Sequence, residues 1–120
     1  MPIAFDLDAF ADDYLTASSK FLDACAGRAG KLSRFEHPDC RIDGQALTTD
    51  VFYIGAESAS KLLVLISATH GVEGFAGSAI QLDTLRTLSS ESLPDDVAVL
   101  FIHALNPHGF AWLRRVPWLG

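Results

Sequence analysis

The sequence is poor in the features that most quickly assign a function. Its cysteines number two, Cys25 and Cys40, far apart and without a C-x-x-C spacing. That gives no disulfide framework and fits buried free thiols in a reducing compartment. Basic side chains are outnumbered, 9 against 15 acidic ones, for a net charge of −6. A sequence-independent grip on nucleic acid needs a basic face, so no nucleic-acid partner is expected. The longest apolar run, Lys61 to Ala68, is the length of a strand and far too short for a membrane span. The first residues, Met-Pro-Ile-Ala-Phe-Asp-Leu-Asp, have neither a basic n-region nor an apolar h-region, so no signal peptide is expected. These absences lead to the expectation of a cytoplasmic protein with no membrane partner. What remains is 120 residues, 49% of them hydrophobic, ample for the core of a single small domain over residues 1–120.

The chain is organised around Leu62 to Gly77. An unbroken apolar run, Leu62 to Ile66, predicts a strand covered on both faces. Within four residues the character changes to small and polar, with His70, Glu73 and three glycines, Gly71, Gly74 and Gly77, before a helical pattern. Open α/β sheets keep their ligand sites just past the carboxyl ends of such strands. An imidazole and a carboxylate three residues apart face one point if the backbone turns there. They form half of a divalent-metal site, with zinc the natural candidate for mixed N/O ligation. The alternative, a histidine that only hydrogen-bonds the turn, is what spacing alone favours. The position at a strand end and the glycines that follow, which let backbone approach closely, weigh toward the metal site.

Around this stretch the periodicities are plain. Asp8 to Ala29 has apolar residues at helical spacing, with Asp8 or Asp6 as cap and Gly27 and Gly30 to stop it. Leu32 to Ile42 and Leu47 to Ile54 read as a hairpin about Asp43-Gly44. His37, before Pro38, is expected at the surface near an edge. Ala76 to Leu88 predicts a second helix, and Val97 to Leu105 a second strand buried on both faces. Strand, helix, strand with a short return makes a parallel βαβ unit, which delivers His70 and Glu73 and also His103 and Asn106 to one sheet edge. The two helices are expected to cover one face each. Val97 to Leu105 would then lie at the sheet edge, unpaired on one side, with Val116 to Gly120 irregular because of Pro117. The segment Asn106-Pro-His-Gly-Phe-Ala-Trp-Leu-Arg-Arg-Val116 ends in paired guanidiniums, Arg114 and Arg115, which could clamp a carboxylate or form a solvated helix end. A serine hydrolase with an oxyanion hole at His70-Gly71 is a rival reading. The chain has Gly77-Ser78 but no G-x-S-x-G.

Two stretches, Ser67-Ala-Thr-His-Gly-Val-Glu-Gly-Phe-Ala-Gly-Ser78 and His103-Ala-Leu-Asn-Pro-His-Gly-Phe-Ala-Trp-Leu-Arg-Arg-Val116, resemble the amino-terminal half of the DUF2817 family. That family is similar to the M14 zinc carboxypeptidases and the succinylglutamate desuccinylase/aspartoacylase deacylases. The resemblance implies a three-layer α/β/α fold with a mixed sheet, a zinc-carboxypeptidase-like (phosphorylase/hydrolase-like) arrangement of which this chain holds the first part. It implies His70 and Glu73 as two zinc ligands, and Arg115, then Arg114, as the arginine that stabilises an oxyanion or holds a substrate carboxylate. The substrate implied for a complete member is a peptide or N-acyl amino acid. Members continue past the arginines into a segment resembling N-E-D-N-V-D-L-N-R-N-F, and later supply a third ligand and a catalytic glutamate. This sequence reads Val116-Pro-Trp-Leu-Gly120 instead. The expectation is therefore an inactive, truncated hydrolase that exposes strand edges through which copies associate. A non-catalytic binding module is the other outcome.

Overall fold

A computed structural model describes residues 6–88 and 92–115. Its centre is a four-stranded mixed sheet of β1 (Lys31–Ile42), β2 (Gln45–Ile54), β3 (Lys61–Ile66) and β4 (Val97–His103), in the order β1-β2-β4-β3. The hairpin of β1 and β2 is antiparallel, β2 pairs antiparallel with β4, and β3 lies parallel to β4. The hairpin turns at Asp43 (φ 49°) and Gly44 (φ 78°), the left-handed pair that a two-residue hairpin needs to match strand twist. A register shift between Glu36 and Arg41 surrounds Pro38, which cannot donate to a ladder and is tolerated because β1 is an edge strand.

Among the described residues three α-helices accompany the sheet: α1 (Tyr14–Ala26), α2 (Gly74–Thr87) and the short α3 (Pro107–Ala111). The first helix begins later than its sequence pattern suggests. Asp6 caps a 3₁₀ turn, Leu7–Ala9, and Asp13 caps α1, accepting from the Thr16 amide at 2.7 Å. That backbone bond, with help from the Thr16 side chain, holds the Asp13 carboxyl below its ordinary value. Gly27 ends the helix, as expected.

Both long helices lie on the same face of the sheet, not one on each. Phe21 and Cys25 of α1 and Leu85 of α2 share one core with Phe52, Ile54, Val99 and Phe101, while Ala24 of α1 meets Ala79 and Leu82 of α2. The second half of the core sits where α3 arrives. There Tyr14, Leu47, Ala68, Ala104 and Phe110 pack together, and the Tyr14 hydroxyl bonds both the carbonyl and the amide of Thr48 at 3.0 Å. Cys25 and Cys40 are free and buried. Burial pushes the Cys25 thiol up to about 12, with the Asp50 carboxylate adding to the effect.

The other face is open among the described residues. Register places Leu62, Val64 and Ile66 of β3 beside Ala98, Leu100 and Ile102 of β4, with Val51 and Tyr53 of β2 next in the row. Leu62, Leu63, Val64 and Ile66 are 51%, 54%, 41% and 48% exposed, so β3 is not the doubly covered strand its composition suggests. Nor is β4 an edge; it runs between β2 and β3, and among the described residues β3, like β1, is an edge strand. The mixed sheet and its helices match the expected α/β class. They are compatible with a three-layer α/β/α arrangement in which the second face awaits cover. On that face a cleft of about 940 Å³ lies at the end of the sheet away from His70, against Lys31, Tyr53, Val97 and Leu100. No helix is long and apolar enough to cross a membrane among the described residues. The segment from Val116 to Gly120, with Pro117 and Trp118, lies outside those residues.

Candidate functional site

The parallel ladder of β3 and β4 continues past the strands and sets the site. The Ser67 amide donates to Ile102 O (3.1 Å), Leu105 to Ser67 O (2.9 Å) and Asn106 to Ala68 O (3.0 Å), so the two chain ends leave the sheet side by side. The backbone then reverses sharply through Ala68 (φ 58°) and Gly71 (φ 102°). A left-handed alanine costs about 1 kcal/mol, and it persists here because packing on both sides fixes it. Glu73 follows as the residue that precedes α2, and its carboxylate reaches back to accept the His70 amide, N to Oε1 2.6 Å.

His70 and Glu73 thus share one exposed turn at the carboxyl end of β3, joined by that bond. The bond is a structural reason for Glu73 in itself, and a carboxylate, which accepts at both oxygens, still has an acceptor free for a further partner. The donor set suits zinc in type but offers two ligands of the three that a catalytic site uses. Among the described residues, no group of three or more His, Cys, Asp or Glu side chains is placed to hold a metal ion.

The second loop is in backbone contact with the first. Asn106 caps α3, its Oδ1 accepting the Gly109 amide at 3.0 Å, with Pro107 in the first turn where its missing N–H costs nothing. The chain then doubles back, the Arg114 amide donating to Gly109 O at 2.7 Å. A side chain at Gly71 would overlap the Arg114 carbonyl and meet Gly109 Cα at 2.6 Å. That close approach explains the glycine as well as its positive φ does. Arg114 and Arg115 therefore start from a backbone that touches the His70–Glu73 turn, and both are exposed. Trp112, half exposed, donates from Nε1 to Arg41 O at 3.1 Å and ties this loop to β1.

The other histidines have different settings. His103 ends β4 pointing inward, 1% exposed, stacked on Phe21 at 4.6 Å between ring centroids, with Nε2 2.7 Å from Ser78 Oγ. Burial pushes its ring down to about 4. His37 is half-buried on β1 against Thr49 Oγ1 at 2.8 Å, more enclosed than the surface position expected, and burial lowers its value too. His108 on α3 is half-buried near Trp112.

Three buried polar residues have roles that the sequence pattern does not assign: Asp50, Ser78 and Gln81. Asp50 is fully buried on β2, its Oδ1 taking the Arg34 Nε at 2.9 Å. Its signal was an acid inside the strand pattern Leu-Thr-Thr-Asp-Val-Phe-Tyr-Ile. Ser78 and Gln81 lie on the buried side of α2, where Gln81 Nε2 donates to Leu65 O (2.7 Å) and Ile102 O (3.0 Å). Their signal was polar residues on the helix stripe that should be apolar.

A family model described as "Protein of unknown function (DUF2817)" matches residues 10–117. The chain belongs to the DUF2817 family. No curated protein sequence matches it. Among solved structures, this DUF2817 chain is similar to three bacterial glutaminyl cyclases. That of Tannerella forsythia aligns with a TM-score of 0.54 at 12% identity, covering 79% of this chain and 40% of the other. That of Bacteroides thetaiotaomicron, bound to N-acetylhistamine, gives 0.51 at 12%, with coverage of 87% and 48%. That of Porphyromonas gingivalis gives 0.53 at 10%, with coverage of 94% and 49%. At these identities the likeness is one of fold, and the DUF2817 chain spans less than half the length of each neighbour.

Proposed function

We propose that these residues carry the first part of the active centre of a zinc-dependent amide hydrolase similar to the M14 carboxypeptidases and the succinylglutamate desuccinylase/aspartoacylase deacylases. His70 and Glu73 would be two of the zinc ligands, and a peptide or N-acyl amino acid the substrate. The observation that carries this reading is the turn after β3, where the Glu73 carboxylate is held beside His70 at a parallel strand end. The fold shared with the glutaminyl cyclases supports a hydrolase-like enzyme framework.

Zinc bound at this turn would polarise a substrate carbonyl and lower the pKa of a bound water. The chain's own residues have separable tasks. His70 would offer a ring nitrogen, and Glu73 a carboxylate whose orientation the His70 amide fixes. Arg115, or Arg114 next to it, stands on the loop packed against Gly71 and would meet negative charge on the carbonyl oxygen or a substrate carboxylate.

Two ligands forgo much of the coordination energy of a full site, so zinc binding by these 120 residues is weak and hydrolysis stays at background. Calorimetric titration of the native chain, His70→Ala and Glu73→Gln tests this. Weak binding lost in both variants is expected; tight binding that survives His70→Ala would overturn the assignment. A second reading, a binding module without chemistry, is favoured by the structural task the Glu73 carboxylate already has in accepting the His70 amide. No zinc uptake at all, with the fold intact, is its signature.

A further inference from the structure

The buried side of α2 is built oddly. Gly74, Gly77, Ser78 and Gln81 fall at i, i+3, i+4 and i+7, one stripe of the helix, where an amphipathic helix carries large apolar residues. All four meet the strand ends below the candidate site. A Cβ at Gly74 would overlap Phe110 and Ala68, and one at Gly77 would lie 3.0 Å from Ser67 Cβ. Ser78 Oγ holds His103, the last residue of β4, at 2.7 Å. Gln81 donates both amide hydrogens to carbonyls of β3 and β4, while its own Oε1 is buried with no partner. An apolar side chain of that size would leave no buried oxygen unpaired. What glutamine supplies here is the amide that bridges two strands.

From this stripe we infer that Ser78 and Gln81 are positioning residues, fixing the seat of α2 on the strand ends and through it the place of Glu73 relative to His70. Glu73 immediately precedes α2, and its bond to the His70 amide, 2.6 Å, tolerates little sliding of the helix. Gln81 is two turns away and touches neither group, so its influence passes through the helix. The inference rests on the zinc-site reading for its consequence but not for its geometry, and two readouts separate them.

The variants are Gln81→Leu and Ser78→Ala. Leu85→Ala, with the milder Leu85→Val in reserve, is the control, since Leu85 is buried on the same helix in the core around Phe21 and Phe52, away from the strand ends. Zinc affinity is measured by calorimetry, hydrogen exchange of the His70 amide by NMR, and melting temperature alongside. Loss of an outer support of a metal ligand weakens binding about tenfold. Gln81→Leu and Ser78→Ala should show that loss, together with roughly tenfold faster exchange at His70. Leu85→Ala should lower the melting temperature at least as much and move neither. If the Leu85 variant matches the others, or if exchange at His70 is unchanged in Gln81→Leu, the positioning role is wrong. If no protein binds zinc but His70 exchange responds as described, the zinc reading fails and the positioning role stands.

Discussion

Acid should destabilise this fold through one imidazole. His103 is enclosed by Phe21 and Ser78, and its ring protonates near 4 where an ordinary histidine does so at 6.5. The unfolded chain therefore takes up a proton that the folded one refuses. Its contribution is complete above the ordinary value and is lost as pH falls through the window down to the folded one. At about 1.4 kcal/mol per unit, the gap corresponds to roughly 3 kcal/mol, a large share of a small domain's stability. Asp50, opposite His103 in register, is engaged by Arg34 at 2.9 Å and is not a ready counter-charge. Urea unfolding at steps from about pH 7 to about pH 4, on the native chain and on His103→Gln, isolates the effect. Glutamine can still bond Ser78 and does not titrate, while Asp13 and His37, whose own shifts also favour loss on acidification, are common to both proteins and cancel. The native chain should lose about 3 kcal/mol more than the variant across that range, with a slope near 1.4 kcal/mol per unit around pH 5. Parallel pH profiles, or a His103 ring that titrates at its ordinary value in the folded protein, would refute the reasoning.

Gly71→Ala should cost about 2–4 kcal/mol by thermal melting, because it imposes a left-handed alanine and drives a methyl into the backbone of Gly109 and Arg114; a change under 1 kcal/mol, against that estimate, would mean the two loops are not in contact. Light scattering over a concentration series should show mass above that of the monomer, since among the described residues β3 presents an unpaired apolar edge with Lys61 as its lone charge. Val64→Lys should shift the population toward monomer; a native chain that is monomeric throughout and melts cooperatively at high temperature would count against an accessible edge.

Much of the fold could be read from local pattern. The Asp43-Gly44 turn, the two helices, the parallel pair and the meeting of their ends beside Asn106 all follow from periodicity and turn chemistry, which act over a few residues. The His70–Glu73 turn was legible for the same reason. What was misread depends on neighbours distant in sequence. Leu62 to Ile66 is apolar enough for a central strand, yet nothing within it says that β4 pairs between it and β2, or that both helices take one face. Phe10 and Ala11 keep the helical period and so suggest an earlier start for α1, while the bond from Thr16 to Asp13 sets the true beginning. The roles of Ser78, Gln81 and Asp50 are not legible in the sequence, because a polar residue inside an element looks like a solvent-facing one until its partners are known.

The place of β4 also dictates an order of assembly. Among the described residues it is the last strand of the sheet in sequence, it sits between β2 and β3, and β3 has no other partner. As the chain emerges from a ribosome, the β1–β2 hairpin can close by itself, but β3 must wait, apolar and unpaired, until residue 103 is out. Sheet formation is thus gated by a single late insertion that spans more than thirty residues, the kind of non-local step that slows folding and lengthens exposure of sticky intermediates. Any nascent segment that stops short of β4 holds β3 without a neighbour, a ready client for a chaperone.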